Sequence, residues 1–217
     1  NNLQEIITKL QYQINTLDRG NGLVSQNFAL TEFIENYISN PANKSPLFTY
    51  MYDKTSHHAG QTIPEIDFDE TTGKVDSTGE IVIKEGDPIE YVDFAPDALK
   101  IIFDNIISNA ACHGFEGREN NLNIIKIELF SEGENHVITI SNNGNPLHKQ
   151  ISHKDVFTYN KSSKNGNSHF GIGGYEIKKL MNEFGGDAEI LSDSQSEFPV
   201  TYKLVFNKTN IIASFSL

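Results

Sequence analysis

Asp104-Asn-Ile-Ile-Ser-Asn-Ala-Ala-Cys-His-Gly114 closes a run in which Leu99, Ile102, Phe103, Ile106, Ile107 and Ala110 recur at helical spacing behind Pro96, a residue suited to a first helical turn. The spacing predicts a core-facing helix. Asn105 and Asn109 lie one turn apart on it, so both amides leave from one side, beside the apolar stripe. An amide oxygen is a neutral hard ligand that can complete an octahedral magnesium shell whose other members are phosphate oxygens and water. Against that stands a plainer reading, two solvated asparagines on an amphipathic helix, since such pairs are common.

Downstream, the alternating runs 124–130 and 137–141, joined by the polar stretch 131–135, read as a hairpin. The second run stops at Asn142-Asn-Gly-Asn-Pro146-Leu147. There Gly144 provides backbone freedom where a ring could approach closely, and the Asn142 amide offers an acceptor and a donor matched to the exocyclic amine and ring nitrogen of adenine. The same residues also make an ordinary turn sequence. A third stretch, Lys161-Ser-Ser-Lys-Asn-Gly-Asn-Ser-His-Phe-Gly-Ile-Gly-Gly174, leads straight into a helix predicted at 174–184, which Gly185 and Gly186 end. Gly171, Gly173 and Gly174 would let backbone N–H groups reach phosphate oxygens, and the helix N-terminus adds partial positive charge. Lys161 and Lys164 add point charges and Ser163 a hydroxyl donor. The competing reading is a loop whose glycines serve packing alone. Strands at 188–191 and 200–206 complete a mixed sheet with helices on one face, an α+β arrangement.

Upstream, Leu3, Ile7, Leu10, Ile14 and Leu17 alternate spacings of four and three, the pattern of a helix seam that faces a partner. A second helical periodicity covers 28–38, with Thr31 as candidate N-cap. Residues 40–80 are irregular and polar, with strand character near 47–52, and brief strands are expected at 80–84 and 89–94.

The 217 residues carry a formal charge of -12 and 37% hydrophobic content, enough for one good core. That acidity argues against a nucleic-acid binder, whose affinity comes from clustered Lys and Arg. A single nucleotide needs only local donors and a metal. The one cysteine, Cys112, forms no internal disulfide and fits a reducing, cytoplasmic location. No run approaches the roughly 20 apolar residues that span a bilayer, so no membrane contact is expected. The absent initiator Met and a helical pattern running by Leu3 are expected of a piece of a longer protein.

Taken in order, the three stretches resemble the GHKL ATPase superfamily, and most closely the catalytic ATP-binding domain of sensor histidine kinases. Asn105-Ile-Ile-Ser-Asn109 matches the asparagine box, and Asn142-Asn-Gly144-Asn-Pro146 the first glycine box. Val156-Phe157 through Lys164 matches the lid, and His169-Phe170-Gly171-Ile172-Gly173-Gly174 the second glycine box. The resemblance covers about residues 90–207. It implies a two-layer α/β sandwich at 40–210, preceded at 1–39 by part of a helical dimerisation module and a connecting helix. It further implies ATP and Mg2+ as cofactors, with Asn109 the principal metal ligand, Asn105 its catalytic helper, and His113 near phosphates or ribose. Asn142 takes the adenine role, and Thr201 lies near the base.

The implied reaction is transfer of the γ-phosphate to a histidine on a dimerisation helix, with a homodimer and a response-regulator receiver domain as partners. The chain departs from the family's pattern at three points. Asn142 stands where Asp is usual, which makes a charge-assisted hydrogen bond neutral; His169 replaces the first glycine of its box; and Cys112 falls where a lysine is common. His57-His58, the one His pair, lacks the acidic neighbour usual after a phosphoacceptor. Hydrolytic members of the superfamily place a Glu where Asn105 stands, and Asp104 points about 100° round the helix, so negligible water-directed ATPase is expected. Two other functions fit parts of the pattern: an anti-sigma-factor-type serine kinase, and a module that binds nucleotide without catalysis.

Overall fold

The computed structural model describes residues 22–54, 90–119, 122–159 and 172–208. In chain order these form β1 (Gln26–Ala29), α1 (Leu30–Ser39), β2 (Thr49–Lys54), β3 (Tyr91–Phe94) and α2 (Pro96–Asn109), followed by a π-turn at Ala110–Gly114. Then come β4 (Ile124–Glu132), β5 (Asn135–Asn142), a single turn α3 (His153–Val156), α4 (Gly173–Glu183), β6 (Asp187–Ser192) and β7 (Val200–Asn207). Five strands pair in the order β2-β4-β5-β7-β6, all contacts antiparallel except the parallel pair β2 and β4.

Period-two alternation decides which face of that sheet is covered. Ile125, Ile127 and Leu129 of β4, Ile138 and Ile140 of β5, and Tyr202, Leu204 and Phe206 of β7 point inward and are buried. They meet the stripe Leu99, Ile102, Phe103 and Ile106 of α2 and Ile177, Leu180 and Met181 of α4. Truncating one such fully buried side chain to Ala costs about 3–5 kcal/mol. The alternate positions carry Lys126, Glu128, Thr139 and Lys203. They pair among themselves or with Glu132, Lys126 to Glu128 at 2.7 Å and Lys203 to Glu132 at 2.6 Å, as befits a solvated face. The architecture is thus the expected α+β sandwich, with its helices on one face.

Several local expectations need correction. The hairpin turn is tighter than the five-residue loop at 131–135, because Gly133 takes φ 59° and lets β4 and β5 stay paired to Glu132 and Asn135. Phe28 and Ala29 belong to a strand rather than to the following helix. They pair antiparallel with β3 in a separate two-stranded ribbon, Phe28 opposite Val92, so the strand expected at 89–94 does not join the main sheet. Thr31 is no cap: the helix amide of Leu30 is satisfied by the Glu90 carbonyl at 2.9 Å, and the Thr31 hydroxyl donates to the Glu90 carboxylate at 2.9 Å. α1 buries Leu30, Ile34 and Tyr37 in the same core as Phe103, with Tyr37 and Phe103 rings 5.0 Å apart. The core therefore shows no break near residue 39. The seam at 3–17 and the strand expected at 80–84 lie outside the described residues.

Candidate functional site

The helix α2 carries its two asparagines to the edge of the core, where each amide is held by a different element. Asn105 Nδ2 donates to the carbonyl of Ile101 at 3.1 Å, one turn back, and to Glu176 Oε2 of α4 at 2.9 Å. Its Oδ1 faces the start of α4: a Cβ built on Gly173 would stand 2.9 Å from that oxygen. One turn on, Asn109 Nδ2 donates to the Tyr202 hydroxyl of β7 at 3.2 Å. The tyrosine is buried, which pushes its pKa up to about 12 against the opposing pull of the Asn109 bond, so its hydroxyl stays protonated near neutral pH.

The helix then loosens. The amide of Phe115 reaches back to the carbonyl of Ala110 at 2.9 Å, a five-residue step that puts Cys112 and His113, both half-buried, in the π-turn. That turn ends at Gly114, which packs against the end of β5. A Cβ on Gly114 would lie 2.7 Å from Asn142 Nδ2, and one on Gly144 would lie 2.3 Å from the Gly114 carbonyl oxygen. Only glycines allow this approach. The three asparagines of the turn divide their work: Asn143 holds Ile124 N and the Leu122 carbonyl at 2.8 Å each, and Asn145 holds the Gly114 and Glu116 carbonyls. Asn142 is only 6% exposed, and its Nδ2 has no hydrogen-bond partner. A buried unpaired donor costs about 1–3 kcal/mol, a deficit that an incoming acceptor would remove.

On the opposite rim, a Cβ on Gly174 would sit 1.9 Å from the carbonyl oxygen of Val156, so α4 starts flush against α3. Phe157, just past that turn, meets Tyr202 with the rings nearly perpendicular and 6.4 Å apart, and Lys178 Nζ lies 5.7 Å from the Phe157 ring centre. Ile172 is buried and its carbonyl accepts the first helical bond of α4, from Glu176 N at 2.9 Å. Asp104 takes no part in this: its carboxylate accepts from Tyr37 at 2.8 Å and Lys100 at 2.7 Å, on the side toward α1.

The structure therefore sets Asn105 against Gly173 where α2 packs on α4, seats Gly174 on Val156, ties Asn109 to Tyr202 of β7, and joins Asn142 and Gly144 to the end of α2 through the π-turn that holds His113. Pro146 is exposed beyond Gly144. Thr201 does not meet them. Val200, Tyr202 and Leu204 point inward, so Thr201 faces outward and shares a 2.8 Å hydrogen bond with Ser141, while Val200 is the cross-strand partner of Asn142. Lys161, Ser163, Lys164, His169, Phe170, Gly171 and the His57-His58 pair lie outside the described residues. Two residues escaped the sequence reading. Glu176, 6% exposed, shares a helix face with Leu180, and an acid on an apolar face is a visible signal. Tyr202 alternates with Leu204 and Phe206, an inward hydroxyl in an apolar series.

Residues 94–207 match the model of the family described as histidine kinase-, DNA gyrase B-, and HSP90-like ATPase. No curated protein matches the chain in sequence. Among solved structures, a mycobacterial sensor histidine kinase, MprB, superposes with a TM-score of 0.57 at 15% identity, covering 87% of this chain and 100% of that one. The Acinetobacter baumannii histidine kinase AdeS superposes at 0.56 and 14% identity, covering 96% and 82%. The histidine kinase ThkA, in a complex with the response regulator protein TrrA, gives 0.56 at 13% identity, covering 96% and 50%.

Proposed function

Because the chain belongs to the histidine kinase-, DNA gyrase B- and HSP90-like ATPase family, we propose that it is the catalytic core of a two-component sensor kinase: it binds Mg-ATP between α2 and α4 and passes the γ-phosphate to a histidine on a dimerisation helix. The observation that carries this reading is the near contact of Asn105 Oδ1 with Gly173, which sets the amide-bearing helix against the glycine-initiated one.

The residues present suit the nucleotide. Asn142 Nδ2 is a buried donor in need of an acceptor, and Gly114 and Gly144 keep side chains away from it. Asn109 and Asn105 offer neutral oxygens suited to a magnesium ion that keeps part of its water, and α4 presents the amides of its first turn to anionic oxygens. Mg-ATP, when bound, supplies the transferable phosphoryl group and the divalent charge that offsets its oxygens. The protein's own share is positioning and charge stabilisation, which are the main demands of phosphoryl transfer. Asn105 has no proton-accepting role, and the Asp104 carboxylate is engaged by Tyr37 and Lys100, so a water nucleophile lacks a base from α2. Transfer to a neutral imidazole needs none. The heptad-like pattern of Leu3, Ile7, Leu10, Ile14 and Leu17 would pair two copies, and a receiver domain would accept the phosphate in turn.

The test is incubation with γ-labelled ATP and Mg2+, adding in trans an intact phosphoacceptor hairpin or a serine-bearing acceptor protein. Acid-labile, base-stable label on the hairpin supports the proposal; label on serine supports an anti-sigma-factor-type kinase; binding without transfer supports a module that only holds nucleotide.

A further inference from the structure

Glu176 is a buried carboxylate that the proposed reaction does not use. Burying an acid between two helices costs free energy unless its oxygens are hydrogen-bonded, and a leucine there would pack without that cost. Among its partners is one of the two asparagines assigned to the metal, Asn105. We propose that Glu176 is a positioning residue, fixing the Asn105 amide with its oxygen toward the start of α4 and its nitrogen away.

An asparagine amide has two ends of nearly equal size and opposite chemistry: the oxygen accepts, the nitrogen only donates. Turned through 180°, Asn105 would aim two N–H groups at a cation. Glu176 Oε2 and the Ile101 carbonyl prevent this, because both can only accept and together they take both N–H bonds, at 2.9 Å and 3.1 Å. With the nitrogen so committed, Oδ1 is left facing Gly173. The carboxylate also polarises the amide, leaving more negative charge on Oδ1. Glu176 could instead be read as a base that replaces the missing one for water. Its near-complete burial and its bond to Asn105 argue against that role, because a base must reach the attacking water.

This inference rests on the nucleotide reading, and the experiment separates the two. ATP affinity is measured by displacement of a fluorescent ATP analogue, with Mg2+ and with EDTA, for wild type, Glu176→Leu, Glu176→Gln, Asn105→Ala and the Glu176→Leu/Asn105→Ala double variant. Glu176→Leu is expected to cut the Mg-dependent gain in affinity by roughly fivefold or more, yet by less than about twofold when Asn105 is already Ala. Glu176→Gln, which keeps an accepting oxygen, is expected to stay within about threefold of wild type. In the nucleotide-free protein, the side-chain amide resonances of Asn105 should shift in Glu176→Leu. A wild type with no Mg-dependent affinity sinks the nucleotide reading. A wild type that has it overturns the positioning role if Glu176→Leu changes both affinities in proportion, or if the Asn105 resonances stay in place. Loss of slow ATP turnover in Glu176→Gln at unchanged affinity would overturn it in favour of a base.

Discussion

The Asn109 side chain donates to the Tyr202 hydroxyl across 3.2 Å, tying the end of α2 to the strand beneath it. Nδ2 is engaged there, which leaves Oδ1 as the end available to a cation. Asn109→Ala is expected to abolish the Mg-dependent part of ATP affinity, a loss of tenfold or more, equivalent to about 1.4 kcal/mol or more. Calorimetric titration with and without Mg2+ checks it; equal affinities for variant and wild type in Mg2+ would exclude Asn109 as the ligand.

Asn142→Asp should move affinity and stability in opposite directions. The carboxylate would form a charge-assisted bond to the adenine amine and tighten ATP binding by roughly tenfold. The same charge, at a position only 6% exposed, should lower the stability of the nucleotide-free protein by a few kcal/mol. Displacement assays and urea unfolding report the two effects separately, and weaker ATP binding by the variant would count against the adenine role.

Gly174→Ala tests the seating of α4. Its Cβ would stand 1.9 Å from the Val156 carbonyl oxygen, a backbone atom that cannot rotate away, so α3 and α4 must separate. The expected destabilisation is about 3 kcal/mol or more, read from the urea midpoint. Gly144→Ala should behave similarly, because its Cβ would overlap the Gly114 carbonyl that also accepts Asn145 N at 2.7 Å.

Acid should destabilise the sheet through His136 of β5, whose Nδ1 lies 3.1 Å from Ser131 Oγ. Burial holds its pKa below the ordinary 6.5, opposed by Glu90 and assisted by Lys208. Below 6.5 the unfolded chain takes up a proton that the folded one resists. Stability from this group is therefore complete above that pH and falls as the pH drops below it, by at most about 1.4 kcal/mol per unit. Urea midpoints at pH 7.5 and 5.5 should differ less in His136→Gln than in wild type.

Much of this was legible in the residues. α2, α4, β4 and β7 announce themselves because their apolar periods run unbroken over at least six residues and agree with their burial, whereas β5 and β6 are read from shorter runs, 137–141 and 188–191. That the asparagine and glycine stretches belong to one site came from their order and the resemblance it carries, and α2 does pack on α4 with Asn105 at Gly173. Other features depend on distant neighbours. β1 is four residues long and its partner β3 is some 65 positions away, so Phe28 and Ala29 continued the helical period with nothing local to stop it. The parallel pairing of β2 with β4 leaves no periodic mark. Thr201 is different: the alternation of Val200, Tyr202 and Leu204 already turned it outward, and the expectation that it lay near adenine came from the resemblance instead. Glu176 was visible as an acid on an apolar face but had no meaning until Asn105 was found opposite it.

The strand order has one more implication. β2, the strand drawn from before residue 90, sits at the rim of the sheet, whereas every described group at the candidate site comes from the single stretch between α2 and β7. The groups of the site are therefore wired in series along one stretch, and β2 closes the sheet from its edge, so no described strand from before residue 90 runs through the centre of the sheet. What the earlier part of the chain lends the core is a helix instead: without α1, the core around Phe103 would lose the cover of Leu30, Ile34 and Tyr37 while the strand ladder stayed whole.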